Sequence, residues 1–258
     1  MKNNLKILAI LIISLFCSCE KVINVDLKSA DAKIVIEGII DNSGNPATVK
    51  ITKSVPFSNS SSFPAIRGAI VTISDNDGNN YSLTENPEGT YRNASLIGIV
   101  GRTYQLTVNL EGKKYTASAT IPNPINLDTL LQDKIIITKP VLFVSAAFDD
   151  PKAIENNYQF IETVNSKRST TIFLLNDQFQ DGGTITYEMI DEELKLKTGD
   201  TVEVEMQCID KKIYRYLRGL EDLQFNNTVP ANPESNLDNN VLGYFSAHTS
   251  QKKIIVIK

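Results

Sequence analysis

Short runs of alternating apolar and polar residues, separated by turn residues, are the feature that most restricts how this chain can fold. They begin with KIVIEGII, the turn DNSGNP and ATVKITKSV, and they continue through RTYQLTVNL, the turn EG and KKYTASATI. A period of two residues is typical of half-buried strands, and short loops that contain Gly join neighbouring strands as hairpins. The first half of the chain therefore predicts an immunoglobulin-like β-sandwich.

The stretch PNPINLDTLLQDK interrupts this pattern with two prolines and predicts a domain boundary. Strand-like segments resume after it, and the segment DKKIYRYLRGLEDLQFN has apolar residues at helical spacing, with Asp210 as its predicted N-cap. The basic face of that helix is most often a solvated face. The predicted fold is all-β, with two immunoglobulin-like or β-sandwich domains in tandem at residues 33–122 and 123–258. One amphipathic helix is expected near residues 210–225 in the second domain.

The first residues of the chain have the pattern of an export signal. Lys2 and Lys6 precede the apolar run Ile7–Phe16, which is too short to span a bilayer as a helix but has the length of a signal-peptide core. Ser18 lies directly before Cys19, after which the chain becomes polar. This arrangement resembles a bacterial lipobox, and the resemblance implies cleavage after residue 18 and acylation of Cys19.

An acylated Cys19 would anchor the mature chain to a membrane without spanning it, because several acyl chains together give stable binding. We therefore expect a lipoprotein signal peptide at residues 1–18 and a lipidated tether at residues 19–32. The alternative is a plain secretory signal peptide with incidental cysteines.

Charge and cysteine content exclude some classes of protein. The chain has a formal net charge of -4, and loss of Lys2 and Lys6 with the signal peptide makes the mature chain more negative. This balance argues against nucleic acid as a partner, which requires a basic face. After processing, Cys19 and Cys208 remain, so no disulfide framework is expected. The alternating pattern VEVEMQC predicts that Cys208 points into a core.

No residue pattern predicts a catalytic or metal site. His248 is the single histidine, and Ser246 lies two residues before it on the same strand face. A hydrolase could use this pair, but an exposed polar strand face explains it equally well. The acidic pairs Asp149–Asp150 and Glu192–Glu193 are ordinary turn residues, and DNDGNN fits a hairpin turn better than a calcium loop. We predict a protein without enzymatic activity, catalytic residues, metal or cofactor.

The long polar segment NTVPANPESNLDNN is the predicted binding surface, because loops on a rigid scaffold often carry recognition. Amide side chains and the aromatic residues that follow it suit contacts with a partner. The alternative is that its prolines stiffen a crossover between strands. The predicted binding residues are Asn232, Pro233, Ser235, Asn236 and Tyr244.

Several of these motifs carry a family resemblance. The segments VIEGII, TKSVPF, GAIVTISDNDGNNYSL, EGTYR, FDDPKAIENNYQF and above all NPESNLDNNVLGYFSA are similar to those of the outer-membrane lipoproteins called domain of unknown function 4249. The resemblance covers nearly the whole mature chain. It implies a lipid-anchored protein in the outer membrane of a Gram-negative bacterium, on the periplasmic or the surface-exposed face, with a TonB-dependent receptor as its neighbour. The family has no established catalytic residues to transfer.

The favoured function is therefore that of a non-enzymatic accessory or ligand-binding partner of a TonB-dependent receptor in nutrient uptake. One alternative is a surface adhesin or structural module without a role in transport. A second is a hydrolase that uses carboxylates or Ser246 and His248, which requires a concave polar pocket where these groups converge.

Overall fold

Alternation of β-branched and polar residues produces strands along most of the chain. The structure is a computed structural model that describes residues 31–55, 63–136, 140–178, 181–191, 193–225 and 232–258, so the predicted signal peptide and Cys19 lie outside it. Residues Ala32–Lys258 form one compact unit. Its strands are β1 (Ile34–Asp41), β2 (Ala47–Lys53), β3 (Ile70–Asp75), β4 (Asn80–Asn86), β5 (Thr90–Asn93), β6 (Thr103–Leu110), β7 (Lys113–Thr120), β8 (Thr129–Ile136), β9 (Pro140–Asp150), β10 (Asn157–Val164), β11 (Lys167–Arg168), β12 (Phe173–Asn176), β13 (Gly183–Met189), β14 (Thr201–Cys208) and β15 (Leu242–Val256), with one helix, α1 (Lys211–Phe225).

The hairpin predicted between the first two strands is present. β1 and β2 pair antiparallel, with Gly38 opposite Val49. The side chain of Asp41 holds the turn, since its Oδ1 accepts hydrogen bonds from the backbone N–H and the hydroxyl of Ser43 (2.8 and 2.7 Å) and its Oδ2 accepts one from Asn45 (2.9 Å). A short polar side chain that satisfies backbone groups in this way is a common device for fixing a turn.

The segment DNDGNN forms a hairpin turn between β3 and β4, as the sequence predicted. Oδ1 of Asp75 accepts hydrogen bonds from the backbone N–H groups of Asp77 (3.1 Å) and Asn79 (2.9 Å). Arg102 donates to Oδ2 of Asp75 at 2.9 Å. These bonds explain why acidic and amide residues occur in this turn.

Two sheets contain the strands. The large sheet has the order β11-β10-β14-β15-β1-β2-β5-β4-β3-β6-β7, with β12 also paired to β10, and the small sheet has the order β13-β9-β8. Antiparallel pairing predominates, and the neighbours β1 and β15 are parallel.

Strand β15 connects the two halves of the chain. Its first residues pair with β1, Gly243 lying opposite Ile36 and His248 opposite Asp41. Its later residues pair antiparallel with β14, from Thr249 onward. Gly243 has a φ of +101°, and a Cβ at this position would lie 2.0 Å from the carbonyl oxygen of Ile36. The close approach of the two strands therefore requires glycine here.

Two large hydrophobic cores lie on either side of the predicted boundary. The first core is built from β1 to β7 and includes Ile36, Ile73, Tyr104 and Leu106, together with Phe245 from β15. All five side chains are fully buried. Because Phe245 comes from the far end of the chain, the first core is completed by a residue of the second half.

The second core is built from β9, β10, β13 and β14. Phe148 contacts Tyr158 edge to face, with ring centroids 4.9 Å apart, and Phe160 stacks on Tyr187 at 4.8 Å. Such aromatic pairs stabilise a core beyond the area that they bury. Cys208 is buried in this core, which confirms its predicted position. Burial raises the pKa of its thiol, so the group is an unreactive small apolar side chain.

Helix α1 covers a third, smaller core. The helix residues that are buried in this core are Ile213, Tyr216 and Leu217. Asp210 is the N-cap, because its Oδ1 accepts a hydrogen bond from the N–H of Ile213 at 2.9 Å. The basic face is exposed, and Lys211 on it forms a solvent-exposed ion pair. Among the described residues, no helix is long and apolar enough to cross a membrane.

The all-β sandwich with one helix is confirmed. The tandem arrangement of two immunoglobulin-like domains is not confirmed, because β15 pairs with strands of both halves and the described residues from Ala32 to Lys258 form one compact unit. The domain boundary between residues 122 and 123 stays a prediction.

Candidate functional site

A polar cavity of about 350 Å³ lies on the outer face of the large sheet, where the two halves of the chain meet; we call it the central cleft. β1, β10, β14 and β15 contribute most of its lining, and Ile213 of α1 contributes to its wall. Of the five predicted binding residues, Tyr244 lines this cleft. The other polar lining residues are Asp41, Asn45, Thr48, Gln159, Arg168, Glu205, Gln207, Ser246 and His248.

Strand alternation brings these side chains to the cleft. Ile36 points into the first core, so Ile39 and Asp41 lie on the opposite face of β1. The parallel register places Ser246 beside Ile39 and His248 beside Asp41. The cleft therefore depends on the pairing of β1 with β15.

Ser246 and His248 form a hydrogen-bonded pair within the cleft lining. The distance from Oγ of Ser246 to Nδ1 of His248 is 2.9 Å. Their side chains are only 3% and 4% exposed. The exposed strand face that the sequence suggested is thus wrong, because both residues are buried in the lining of the cleft.

His248 is uncharged at neutral pH. Burial lowers its pKa below the ordinary value of 6.5, and the nearby carboxylates of Asp41 and Glu205 do not overcome this effect. A neutral imidazole has one donor and one acceptor nitrogen. Since Nδ1 is paired with Ser246, Nε2 is the nitrogen available for another contact.

The pair does not have the geometry of a catalytic triad. In a triad, a carboxylate binds the imidazole nitrogen that does not face the serine. Here the oxygens of Asp41 accept hydrogen bonds from Ser43 and Asn45, and within the described residues the side chain of His248 makes a hydrogen bond only to Ser246. Burial raises the pKa of Asp41, but these hydrogen bonds outweigh it and hold the pKa below its usual range.

A network of polar side chains forms the wall of the cleft on β14. Oε1 of Glu205 accepts hydrogen bonds from Nε2 of Gln207 (2.6 Å) and from the hydroxyl of Ser250 (2.8 Å). Its Oε2 lies 3.7 Å from Nζ of Lys252. The charge of Glu205 is therefore largely balanced by neighbours in the same sheet.

Tyr244 provides the aromatic surface of the cleft. Its ring packs against Tyr216 of α1, with centroids 5.1 Å apart. Burial, with the charge of Glu37 as a smaller cause, raises its pKa to about 12, so the hydroxyl stays protonated. Tyr244 can thus present both an apolar ring and a hydrogen-bond donor.

The other four predicted binding residues lie in the segment before β15, where two of them hold the backbone. The hydroxyl of Ser235 donates to the carbonyl of Gly243 at 2.6 Å. The amide of Asn236 donates to the carbonyl of Phe245 (2.8 Å) and accepts from its N–H (2.9 Å). Pro233 packs near Gly219 of α1, and Asn232 is exposed. The binding role of this segment stays a prediction, and the structure adds a structural role for Ser235 and Asn236.

We predict that Asn236→Ala lowers the free energy of unfolding by about 2 kcal/mol, because two hydrogen bonds to the backbone of Phe245 are lost. Urea denaturation followed by circular dichroism measures the change. Asn232→Ala is the matched control, since its side chain is exposed, and it should remain within about 0.5 kcal/mol of the wild type. Equal stabilities of the two variants would show that Asn236 does not hold β15.

A second, larger cavity of about 630 Å³ lies beside α1, at the loops that follow β9 and β12. Asp150, Asp177 and Asp181 meet near it, with one carboxylate oxygen of each within 4.8 Å of the others. Burial raises the pKa of Asp177. Carboxylates grouped in this way are able to offer oxygen ligands to a hard cation such as Ca²⁺. Two of them also bind the backbone: Asp150 accepts from the N–H of Gly182 (3.0 Å) and Asp177 from that of Asn156 (2.7 Å).

Asp149, Asp150 and Glu193, the described residues of the acidic pairs noted in the sequence, do not form one carboxylate site. Asp150 is buried, whereas Asp149 points to the opposite face of β9 and is exposed, accepting a hydrogen bond from Thr184 at 2.6 Å. Glu193 is exposed and bonds to Thr170 at 3.0 Å, and Glu192 lies outside the described residues. Asp149 and Asp150 lie at the end of β9, as the sequence suggested.

Comparisons with known proteins identify a family. A family model described as "Domain of unknown function (DUF4249)" matches residues 20–254. No curated protein matches the chain. Among solved structures, the crystal structure of the selenomethionine-substituted chicken interferon gamma receptor alpha chain covers 88% of this chain and 98% of its own, with 8% identity and a TM-score of 0.26. A likeness at that TM-score supports no conclusion. The family match, in contrast, extends over most of the sequence, and this chain belongs to the family of domain of unknown function 4249.

Proposed function

We propose that this protein is a lipid-anchored accessory lipoprotein of the outer membrane, without enzymatic activity, that binds a TonB-dependent receptor or that receptor's ligand during nutrient uptake. The observation that carries the proposal is the apolar run Ile7–Phe16, followed by Ser18 and Cys19. The family match begins at residue 20, directly after the predicted lipidation site.

Binding rather than catalysis is supported by the chemistry of the central cleft. Its histidine and serine lack the oriented carboxylate that a hydrolase requires, whereas its lining is concave and polar. The turns that rim such a site are held by their own hydrogen bonds, as at Asp41. Turns fixed on a rigid sheet are well suited to recognition.

The anchor is tested by metabolic labelling with palmitate. We expect the wild type to carry label and to sediment with membranes, and Cys19→Ala to lose both properties, because the acyl chains attach to this thiol. Cys17→Ala is the matched control and should keep the label, since residue 17 leaves with the signal peptide. Label that persists in Cys19→Ala would refute the anchor.

The partner is tested by crosslinking intact cells that carry the wild-type lipoprotein, followed by affinity capture and mass spectrometry. Recovery of a TonB-dependent receptor, lost in Cys19→Ala, supports the accessory role. Capture without any membrane partner contradicts it and favours a surface adhesin or structural module. Protease treatment of intact cells distinguishes the surface-exposed face from the periplasmic face.

A further inference from the structure

The central cleft contains polar groups for which the protein provides no partner. His248 is almost fully buried, and its Nε2 makes no hydrogen bond with any described residue. Gln207 is 7% exposed and donates through Nε2 to Glu205, which leaves its side-chain carbonyl free in the same part of the chain. Free polar groups that face a concave cavity are able to form hydrogen bonds with a bound ligand.

The charges around the cleft favour an uncharged ligand. The lining contains the carboxylates of Asp41 and Glu205 and the guanidinium of Arg168. Asp41 is saturated by hydrogen bonds from its own turn, and Glu205 is balanced by Gln207, Ser250 and Lys252. The guanidinium of Arg168 is exposed to solvent, whereas the free groups that are buried in the cleft are neutral. A strongly charged ligand would therefore find no unpaired buried charge of opposite sign.

The groups of the cleft that remain free are able to form hydrogen bonds with the hydroxyl groups of a ligand that has a compact carbon skeleton. An amide such as that of Gln159 both donates and accepts, as a ligand hydroxyl does, and Thr48 and Tyr244 add hydroxyls to the lining. The ring of Tyr244 and the side chains of Ile39 and Ile161 provide apolar surface for C–H groups. The cavity volume of about 350 Å³ falls at the lower end of the range of small-molecule sites, about 300–1,000 Å³.

We propose that the central cleft binds a small, uncharged, polyhydroxylated ligand of the sugar or polyol class. His248, Gln207 and Gln159 form its hydrogen bonds, and Tyr244 packs against its apolar face. This assignment deepens the proposed accessory role and rests on it for its biological meaning. Binding is measured on the isolated protein, so it can fail while the receptor partnership stands, and the reverse also holds.

The single histidine of the chain makes His248 a direct reporter. The mature lipoprotein, labelled with ¹⁵N at histidine and kept in a detergent without a sugar headgroup, is titrated with glucose, N-acetylglucosamine, maltose and myo-inositol. Glucuronate and glucosamine serve as charged probes. We expect at least one neutral compound to shift the imidazole ¹⁵N signals saturably, with a dissociation constant of about 1 mM or tighter.

A variant distinguishes the cleft from other surfaces. Gln159→Ala should weaken the binding by about tenfold, because the loss of one hydrogen bond of ordinary strength has that effect. It should fold normally, since among the described residues Gln159 makes no side-chain hydrogen bond. Gln105→Ala, at an exposed position on β6, is the same change outside the cleft and should bind as the wild type does. The proposal is overturned if no neutral compound gives a saturable shift, if a charged probe binds more tightly than every neutral one, or if both variants bind equally.

Discussion

Replacing Gly243 by alanine should lower the free energy of unfolding by more than about 4 kcal/mol, a loss that few single substitutions cause. The added Cβ would lie 2.0 Å from the carbonyl oxygen of Ile36 and 2.9 Å from its backbone nitrogen. Neither strand can move away easily, because β1 lies between β15 and β2 in the middle of the large sheet. The positive φ of +101° at this position adds backbone strain for any side chain.

Gly112→Ala is the matched control for this prediction. Gly112 also has a positive φ, +75°, in the turn between β6 and β7, but no atom lies within 4 Å of the position that its Cβ would take. Gly112→Ala should therefore lower the free energy of unfolding by only about 1 kcal/mol, through backbone strain. Urea denaturation measures the free energy of unfolding of both variants. If Gly243→Ala does not fold at all while Gly112→Ala folds, the prediction is also met. Similar losses in the two variants would show that the contact with β1 is unimportant.

The second large effect is expected from Glu162→Gln, which should stabilise the protein at alkaline pH. Glu162 is 1% exposed, on the face of β10 that points into the second core, and its Oε1 has no hydrogen-bond partner among the described residues. Burial, and to a smaller extent the charge of Asp191, raise the pKa of Glu162 to about 7. An unpaired carboxylate in such a place ionises at a cost in stability.

The sign of the pH dependence follows from the raised pKa. The stabilising contribution of Glu162 is fully present below pH 4.5, which is the pKa of this side chain in the unfolded chain. It is lost as the pH rises through about 7, because the unfolded chain releases the proton of Glu162 at a lower pH than the folded chain does. The difference between the two pKa values corresponds to about 3 kcal/mol. Glu162→Gln should therefore be more stable than the wild type by up to about 3 kcal/mol at pH 8 and by much less near pH 4.5.

Unfolding free energies of the wild type and the variant at a series of pH values measure this effect. Glu188→Gln, an exposed glutamate on β13, is the matched control and should leave the pH profile unchanged. If Glu162→Gln gave the same difference from the wild type at pH 5 and at pH 8, the raised pKa of Glu162 would be wrong.

Sequence patterns predicted those parts of the fold that depend on neighbours along the chain. The hairpin of β1 and β2, the Asp75 turn and the N-cap of α1 at Asp210 all arise from residues close to one another. The pairing of β1 with β15 could not be predicted in this way, since it joins residues such as Asp41 and His248 from opposite ends of the described chain. The burial of His248 was missed for the same reason.

The candidate site was predicted in part. Tyr244 lies in the central cleft, whereas Asn236, chosen for its amide, is engaged with the backbone of Phe245. Gln159 and Gln207 were not singled out, because a polar residue at every second position of a strand usually indicates a face in solvent. Uncharged polar residues at these outward positions of β10 and β14 were the available signal, and only the assembled sheet shows that they converge.

The continuity of β15 has a consequence for the order in which the molecule becomes folded. The hydrogen bond from the N–H of Ser250 to Oδ1 of Asn42 spans 208 residues, and Phe245 completes the first core from the same distant strand. During synthesis, β1 and β2 leave the ribosome long before their partner exists, and contacts between residues so far apart form slowly. One edge of β1 must therefore stay unpaired until β15 arrives. Until β15 has been synthesised, the nascent chain is the form most prone to aggregation and most dependent on a chaperone.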